Sequence, residues 1–358
     1  MANFSGGQAL VIGAGMSGLA AAGALAKHFE RVIVLERDGL ADGPSHRQGT
    51  PQSRQLHGLL PGGLEALCRI FPGFDQDLAA AGAAPVRVAA DIREELPGFD
   101  PFPRRDFGRV AYCASRPLLE HTLRRRVRAL RNVVLRDHRR VVELVASADR
   151  RRITGARCER SDGTAETLAA DLVVDASARG TLTLAALDAM GCGRPQVTSV
   201  GVNIGYATAA FEIPRQRPDW KAVLTFASAP SERRCGFLLP VDGNRWMVCI
   251  AELQCPRPPL LGRGSTMDRR GLSMSATPDL AYPQTQGERP ADLEDRLSFA
   301  SALHRVAARD PDVHARLVAV RYLLQPDDAL QEPGLVDRVR AEMAAASPPT
   351  TEPATRAA

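Results

Sequence analysis

Three glycines near the start of the chain, Gly13, Gly15 and Gly18, have the spacing GxGxxG that suits pyrophosphate binding. The first glycine would make a tight turn, the second would let the backbone approach the phosphates, and the third would let a helix pack close to a sheet. Glu36 follows the second predicted strand, where a carboxylate can accept hydrogen bonds from both ribose hydroxyls. Because that carboxylate would repel the phosphate of NADP, the pattern favours NAD or FAD.

The elements that must position these residues occur in the required order. Residues 9–12 form a short apolar run that predicts a strand, residues 19–29 predict a helix of small residues, and residues 32–36 predict a second strand. The unpaired N–H groups and the positive dipole end of that helix would face the phosphates. Strand, glycine turn, helix, second strand and terminal acid together predict a dinucleotide-binding unit.

Residues 11–38, VIGAGMSGLAAAGAL and onward to VIVLERD, resemble the N-terminus of FAD-dependent oxidoreductases more than that of NAD dehydrogenases. This resemblance adds Arg37 to the cofactor-binding residues. The next segment, RQGTPQSRQLHGLLPGG, resembles the stretch after the second strand in flavin monooxygenases of the aromatic-hydroxylase and squalene-epoxidase type. It implies that Arg47 meets the FAD, with Arg54 and His57 as possible partners.

Two further segments carry the same resemblance. SRPLLEHTLRRRV is similar to the helix start of the family and implies that Arg116 lies near the FAD ribose or pyrophosphate. DLVVDASARGTLT is similar to the second FAD motif, which implies that Asp175 contacts the flavin side of the cofactor and that Arg179 holds the turn. The family often has glycine where Ala178 stands, and alanine costs little unless the position needs a positive φ. A solvated helix start and a plain strand-to-helix turn are the structural alternatives.

The resemblance implies an α/β fold: a Rossmann-like FAD-binding domain of the glutathione-reductase type, a mixed or antiparallel substrate-side sheet, and C-terminal helices. It also implies an NAD(P)H-driven monooxygenase that uses FAD to hydroxylate or epoxidise an apolar or aromatic small molecule. NADH and NADPH are both open as the reductant. The cofactor carries the chemistry in this class while the protein orients and shields it, so no catalytic side chain is named.

Composition and the periodicity of apolar residues divide the chain into five predicted segments. They are a FAD-binding domain at 1–190 with an insertion at 40–110, a substrate-side sheet at 191–254, an irregular linker at 255–290, C-terminal helices at 291–346, and a disordered tail at 347–358.

One expected motif is missing from the chain. The family carries a third FAD motif that begins with Gly-Asp, and this sequence contains no Gly-Asp dipeptide. We interpret the loss as an internal deletion that removes one wall of the flavin site together with the helix-dipole contact it would provide. FAD binding should then be weaker, and oxygen chemistry at the flavin would be exposed to water.

Composition limits the other functions. The net charge of +5 comes mostly from scattered arginines, so we expect no nucleic-acid partner. The seven cysteines form no CxxC pair beside histidines, so we expect no metal site. No apolar run approaches the length of a membrane helix, and no signal peptide is evident, so we expect a cytoplasmic protein. Oligomeric state is open. Two alternatives remain: an NAD-linked dehydrogenase or reductase, and a degenerate, non-catalytic dinucleotide-binding protein.

Overall fold

A computed structural model describes residues 4–197, 204–227, 232–253 and 293–346. The predicted linker at 255–290 and the predicted tail at 347–358 lie outside the described residues. Helices within the described residues are α1 (Met16–Leu25), α2 (Pro61–Ile70), α3 (Phe74–Ala80), α4 (Arg116–Arg128), α5 (Thr181–Met190), α6 (Leu293–Arg309), α7 (Pro311–Arg321) and α8 (Pro333–Ala346).

The strands of the described residues fall into four sheets. In chain order they are β1 (Gly6–Ile12), β2 (Phe29–Leu35), β3 (Gly58–Leu59), β4 (Ala84–Arg87), β5 (Ile92–Glu95), β6 (Val110–Cys113), β7 (Val133–Arg136), β8 (Arg139–Ala146), β9 (Ile153–Arg160), β10 (Ala165–Ala169), β11 (Leu172–Asp175), β12 (Ile204–Glu212), β13 (Ala222–Thr225), β14 (Arg234–Val241) and β15 (Arg245–Leu253).

A four-stranded parallel sheet of order β11-β1-β2-β7 forms the base of the dinucleotide unit. Its inner strands β1 and β2 are covered on both faces, which explains why they are nearly continuous apolar runs. Leu10 belongs to the core on one face and Val11 to the core on the other, and both are fully buried. This arrangement confirms the predicted Rossmann-like fold class.

Residues 171–175 form an apolar run that predicts a buried strand. The strand is present as β11, but it is not buried. It lies at the edge of the parallel sheet, paired within the described residues only with β1. Leu172 is therefore 38% exposed. The following helix α5 has no buried residue.

The Asp-Gly pairs at 162–163 and 242–243 predict two hairpins, and both are confirmed. Asp162 and Gly163 join β9 to β10 in an antiparallel meander of order β10-β9-β8. Residues 242–244 form the loop that joins β14 to β15, and Gly243 and Asn244 in this loop both have positive φ.

The predicted substrate-side sheet has five strands in the order β12-β15-β14-β13-β5. Four strands come from the predicted segment, but β5 comes from the insertion at 40–110 and pairs in parallel with β13. Ile92 and Ala222 on the inner face are buried against Cys113 of the small sheet β3-β6-β4. The insertion therefore joins the substrate-side sheet to the dinucleotide unit.

The C-terminal helices pack on each other and on the insertion. The side chain of Arg321 pairs with Glu94 on β5, and the Gly62 N–H at the start of α2 donates to the Tyr322 carbonyl 3.1 Å away. The start of one helix thus satisfies a free carbonyl at the end of another. None of the helices in the described ranges is both long and apolar enough to cross a bilayer.

Candidate functional site

Gly13 and Gly18 have the close backbone contacts that their predicted tasks require. Gly13 has φ +98°, and a Cβ there would lie 2.9 Å from the Ala176 carbonyl oxygen. A Cβ at Gly18 would lie 1.9 Å from the Gly13 carbonyl oxygen, because α1 passes directly over the turn. Only glycine satisfies both positions.

Gly15 serves a different purpose, since a Cβ there would meet no backbone. Its ideal position lies 3.9 Å from Nη2 of Arg47 and 4.0 Å from Nη2 of Arg116. Gly15 also caps α1, which begins without a side-chain cap and without an acidic residue in its first turn. Free N–H groups, the positive dipole end and two guanidinium groups thus converge at one open backbone position, which favours an anionic group.

Glu36 lies at the same turn and is buried. Its Oε2 accepts a hydrogen bond from the Ala14 N–H at 2.7 Å, and its Oε1 accepts one from the Asp38 N–H at 3.1 Å. Arg47 Nη1 lies 3.0 Å from the same carboxylate. Three of the roughly four acceptor positions of the carboxylate are therefore used, so accepting both ribose hydroxyls would require one of these contacts to give way.

Arg47 is held by carboxylates rather than by the partners expected from sequence. It donates to Glu120 at 2.7 Å and to the Ala14 carbonyl at 3.2 Å, and it pairs with Glu36 and Asp38. Burial lowers its pKa, but the hydrogen bond to Glu120 and the neighbouring negative charges raise the pKa above its ordinary value. Arg54 and His57, the possible partners of Arg47 in binding FAD, make no hydrogen bond or ion pair with it among the described residues.

Glu120 was not identified from the sequence. It is 4% exposed and accepts from both Arg47 and Arg116, the latter at 3.4 Å. Its place four residues after Arg116 on α4 puts the two on one helix face, which is the signal that could have revealed it. The glutamate holds two arginines beside the glycine turn.

The second predicted FAD motif meets the first at the ends of adjacent strands. Ile12 is in register with Asp175, and the Ala176 N–H donates to the Ile12 carbonyl at 2.9 Å. Asp175 accepts from the Ser177 N–H at 3.0 Å and from Thr183 Oγ1 at 2.8 Å. Partial burial raises its pKa, but these hydrogen bonds lower the pKa below the ordinary value, so Asp175 is ionised at neutral pH.

Ala178 has φ +75°, so it lies in the region where alanine is strained and glycine is not. Because the position has a positive φ, alanine here carries the conformational cost that glycine would avoid. Arg179 is exposed, and the structure gives its guanidinium no hydrogen bond or ion pair with another described residue. Asp175, rather than Arg179, makes the contacts that hold this turn.

Arg37 lies at the outer end of the site. Its side chain is 61% exposed and is 3.8 Å from Asp38. Both residues line an open cleft of about 400 Å³ with His138, Arg140 and Glu159. The cleft lies next to Glu36, at the end of β2, where a dinucleotide would continue beyond the ribose.

These residues fit an ADP moiety better than they fit a complete flavin site. The turn at Gly13, the open position at Gly15 and the two arginines can accommodate a pyrophosphate. The flavin side has Asp175 at an exposed sheet edge, followed by the unburied helix α5. Within the described residues, no group of His, Cys, Asp or Glu side chains could hold a metal ion.

Comparison with known proteins identifies a family for this chain. A family model described as FAD dependent oxidoreductase matches residues 8–238. The protein Rv3254 of Mycobacterium tuberculosis is 35% identical over 290 residues, which cover 78% of this chain and 60% of that protein. The chain thus spans less than two thirds of the length of this curated relative.

Solved structures show the same fold at low sequence identity. A variant of PqsL from P. aeruginosa has a TM-score of 0.51 and 15% identity, over 69% of this chain and 61% of that one. The myxobacterial chondrochloren halogenase CndH, described as an FAD-dependent halogenase, has a TM-score of 0.50 and 20% identity, over 70% and 53%. The family model covers well over half of the chain and includes the glycine turn, Glu36 and Asp175, so this protein belongs to the FAD-dependent oxidoreductase family.

Proposed function

We propose that this chain binds FAD through the glycine turn and works as an NAD(P)H-driven monooxygenase on an apolar or aromatic small molecule. The observation that carries the proposal is the meeting of its two predicted motifs, with Ile12 and Asp175 in register at the ends of adjacent parallel strands. Ligands of open α/β sheets bind at this edge, beyond the carboxyl ends of the strands.

Each residue has a task in this proposal. The first N–H groups of α1, with Arg47 and Arg116, bind the pyrophosphate. Glu36 orders the turn through the Ala14 N–H and accepts from the ribose, while Arg37 lies beside the adenine end. Asp175, kept ionised by its hydrogen bonds, faces the flavin side. Bound FAD would supply electron transfer between the nicotinamide reductant and oxygen.

The substrate side of the proposal rests on the inner face of the five-stranded sheet. By the pairing register, Tyr206, Phe237 and Leu239 lie on this face. The buried residues Cys249 and Ala222 lie on the same face. Such a face presents apolar and aromatic surface beside the dinucleotide unit, as a pocket for an apolar molecule requires.

A second candidate is a non-catalytic dinucleotide-binding protein. The edge position of β11 and the unburied α5 favour it, because the flavin side of the site has less support than the ADP side. An NAD-linked dehydrogenase is the third possibility, and it would bind NAD rather than FAD at the same turn.

The test is to measure NADH and NADPH oxidation by the FAD-loaded protein under air, with and without candidate aromatic substrates, while following oxygen uptake and hydrogen peroxide. Substrate-dependent oxygen uptake with little peroxide supports the monooxygenase. NAD(P)H oxidation no faster than with free FAD contradicts it and supports the non-catalytic interpretation. Reversible reduction of NAD without bound flavin supports the dehydrogenase.

A further inference from the structure

In the structure, Arg47 already contacts the carboxylate that the ribose needs. Its Nη1 lies 3.0 Å from Oε2 of Glu36, the oxygen that also accepts from the Ala14 N–H. The two side chains are buried, at 9% and 6% exposure, so the attraction between their charges is little screened. A ribose that donates both hydroxyls to Glu36 therefore competes with the guanidinium group for one carboxylate.

Arg47 can release Glu36 without losing its other partners. The contact between these two side chains is an ion pair. The guanidinium group also donates hydrogen bonds to Glu120, to Asp38 and to the Ala14 carbonyl. The Glu36 carboxylate likewise keeps two backbone N–H donors when the arginine leaves. Separation of the pair therefore leaves neither a buried guanidinium nor a buried carboxylate without a partner, which would be the costly outcome.

A pyrophosphate would supply the attraction that draws Arg47 away from Glu36. The open position at Gly15 lies 3.9 Å from Nη2 of Arg47, so phosphate oxygens bound there are within reach of the guanidinium group. Guanidinium groups bind phosphate oxygens through strong, charge-assisted hydrogen bonds. A nucleoside without phosphates brings no negative charge, so its hydroxyls alone would have to displace the arginine from the carboxylate.

We propose that Arg47 blocks the ribose position at Glu36 until a diphosphate at Gly15 attracts the guanidinium group away. Arg47 is then a specificity-determining residue, because the site selects a nucleoside diphosphate unit over a nucleoside. The exchange also couples the two halves of that unit: the diphosphate frees the carboxylate to which the ribose hydroxyls donate. This inference rests on the proposed function, since it requires the nucleotide to bind at the glycine turn.

The first experiment uses the wild-type full chain and measures competition against FAD by the fluorescence of the flavin. The competitors are ADP, adenosine and their 2′,3′-dideoxy forms, which lack both ribose hydroxyls. We expect loss of the hydroxyls to weaken ADP binding about tenfold, because Glu36 is free to accept them. The same loss should change adenosine binding by less than about twofold, because Arg47 still holds the carboxylate.

The second experiment removes the competing cation in Arg47→Gln. We expect adenosine to bind this variant about tenfold more tightly than it binds the wild type, whereas ADP and FAD bind more weakly because the pyrophosphate loses a partner. The gain should be absent for 2′,3′-dideoxyadenosine. Arg116→Gln is the matched control, because Arg116 also lies beside Gly15 but pairs with Glu120 rather than Glu36. It should weaken ADP and FAD binding without any gain for adenosine.

An equal loss for ADP and adenosine when the hydroxyls are removed would overturn the proposal, and this comparison in the wild type needs no variant to fold. An unchanged adenosine affinity in Arg47→Gln, a gain shared by 2′,3′-dideoxyadenosine, or the same gain in Arg116→Gln would also overturn it. So would adenosine that competes with FAD in none of these proteins. Failure of the wild-type chain to bind FAD would instead contradict the proposed function, and is seen before any competitor is added.

Discussion

At the scale of single residues, a substitution at Gly15 should weaken FAD binding without affecting folding. A methyl group there would make only ordinary contacts with Arg47 and Arg116, yet it would fill the space that a pyrophosphate needs. We predict that Gly15→Ala folds normally but binds FAD about tenfold more weakly, a loss of about 1.4 kcal/mol. Fluorescence titration with FAD and a thermal melt measure the two effects.

The control is Gly43→Ala, because nothing lies within 4 Å of a Cβ at that position. It should change neither FAD affinity nor stability. Normal FAD affinity in Gly15→Ala would mean that the phosphates bind elsewhere.

At Ala178, a substitution should increase the stability of the protein. Its φ of +75° strains alanine, so Ala178→Gly should raise the free energy of unfolding by about 1 kcal/mol. Ala186→Gly, inside α5, should lower it by about 1 kcal/mol, because glycine weakens a helix interior. Urea denaturation of both variants distinguishes strain at position 178 from a general effect of glycine, and a loss of stability in Ala178→Gly would contradict the assigned conformation.

Residues whose roles depend only on their neighbours in the sequence could be predicted. Gly13, Gly15 and Gly18 are specified by one turn, so their spacing was enough to identify them. The spacing of Glu120 from Arg116 shows only that the two share one face of α4. Glu120 was missed because the packing of that face beside the glycine turn is not encoded by the local sequence. The carboxylate partners of Arg47 were missed for the same reason.

At the scale of elements, Gly62 joins α2 to the end of α7. A Cβ there would lie 2.1 Å from the Leu323 carbonyl oxygen, whereas one at Gly63 would meet only the flexible end of Leu59 at 3.2 Å. We predict that Gly62→Ala lowers the free energy of unfolding by about 2 kcal/mol and Gly63→Ala by much less. Hydrogen exchange of α7 should rise only in the first variant, and equal effects in both would contradict this contact.

The C-terminal helices should also become less stable at acid pH. His304 on α6 and His314 on α7 are buried on either side of Phe102, with ring centroids 4.0 and 4.5 Å from it. Burial, followed by the charge of Arg321 for His304 and of Arg105 for His314, lowers the pKa of each to about 4. Because the unfolded chain binds these protons near pH 6.5, stability is complete above that pH and is lost as the pH falls towards 4.

His304 offers the sharper test of this effect, because its Nε2 is buried without a hydrogen-bond partner among the described residues. We predict that His304→Phe removes a pH-dependent loss of about 2–3 kcal/mol between pH 6.5 and 4. His28→Gln, at an exposed position, should leave the pH profile unchanged. Unfolding midpoints measured across this pH range would contradict the role of His304 if both variants matched the wild type.

Helices and hairpins were predictable because helical period and turn residues act over short distances. The parallel pairing of β5 with β13 was not, since it joins residues about 130 positions apart whose local patterns specify no partner. The same holds for the contact between α2 and α7, although the two glycines after Pro61 marked the place.

At the scale of the whole molecule, the resemblance predicted a Rossmann-like dinucleotide unit with a second sheet, and the structure agrees. Within the described residues, β11 lies at the edge of its sheet and α5 has no buried residue. An edge strand with an apolar, partly exposed residue such as Leu172 is a site where another strand could pair.

The measurement that tests the central claim most directly is an equilibrium titration of the purified, flavin-free chain with FAD, followed by absorbance, with ADP as competitor. We predict one FAD per chain, displacement by ADP, and weaker binding in Gly15→Ala. A chain that retains no flavin absorbance once free FAD is removed would contradict FAD binding at the glycine turn. Flavin binding without competition from ADP would contradict it as well.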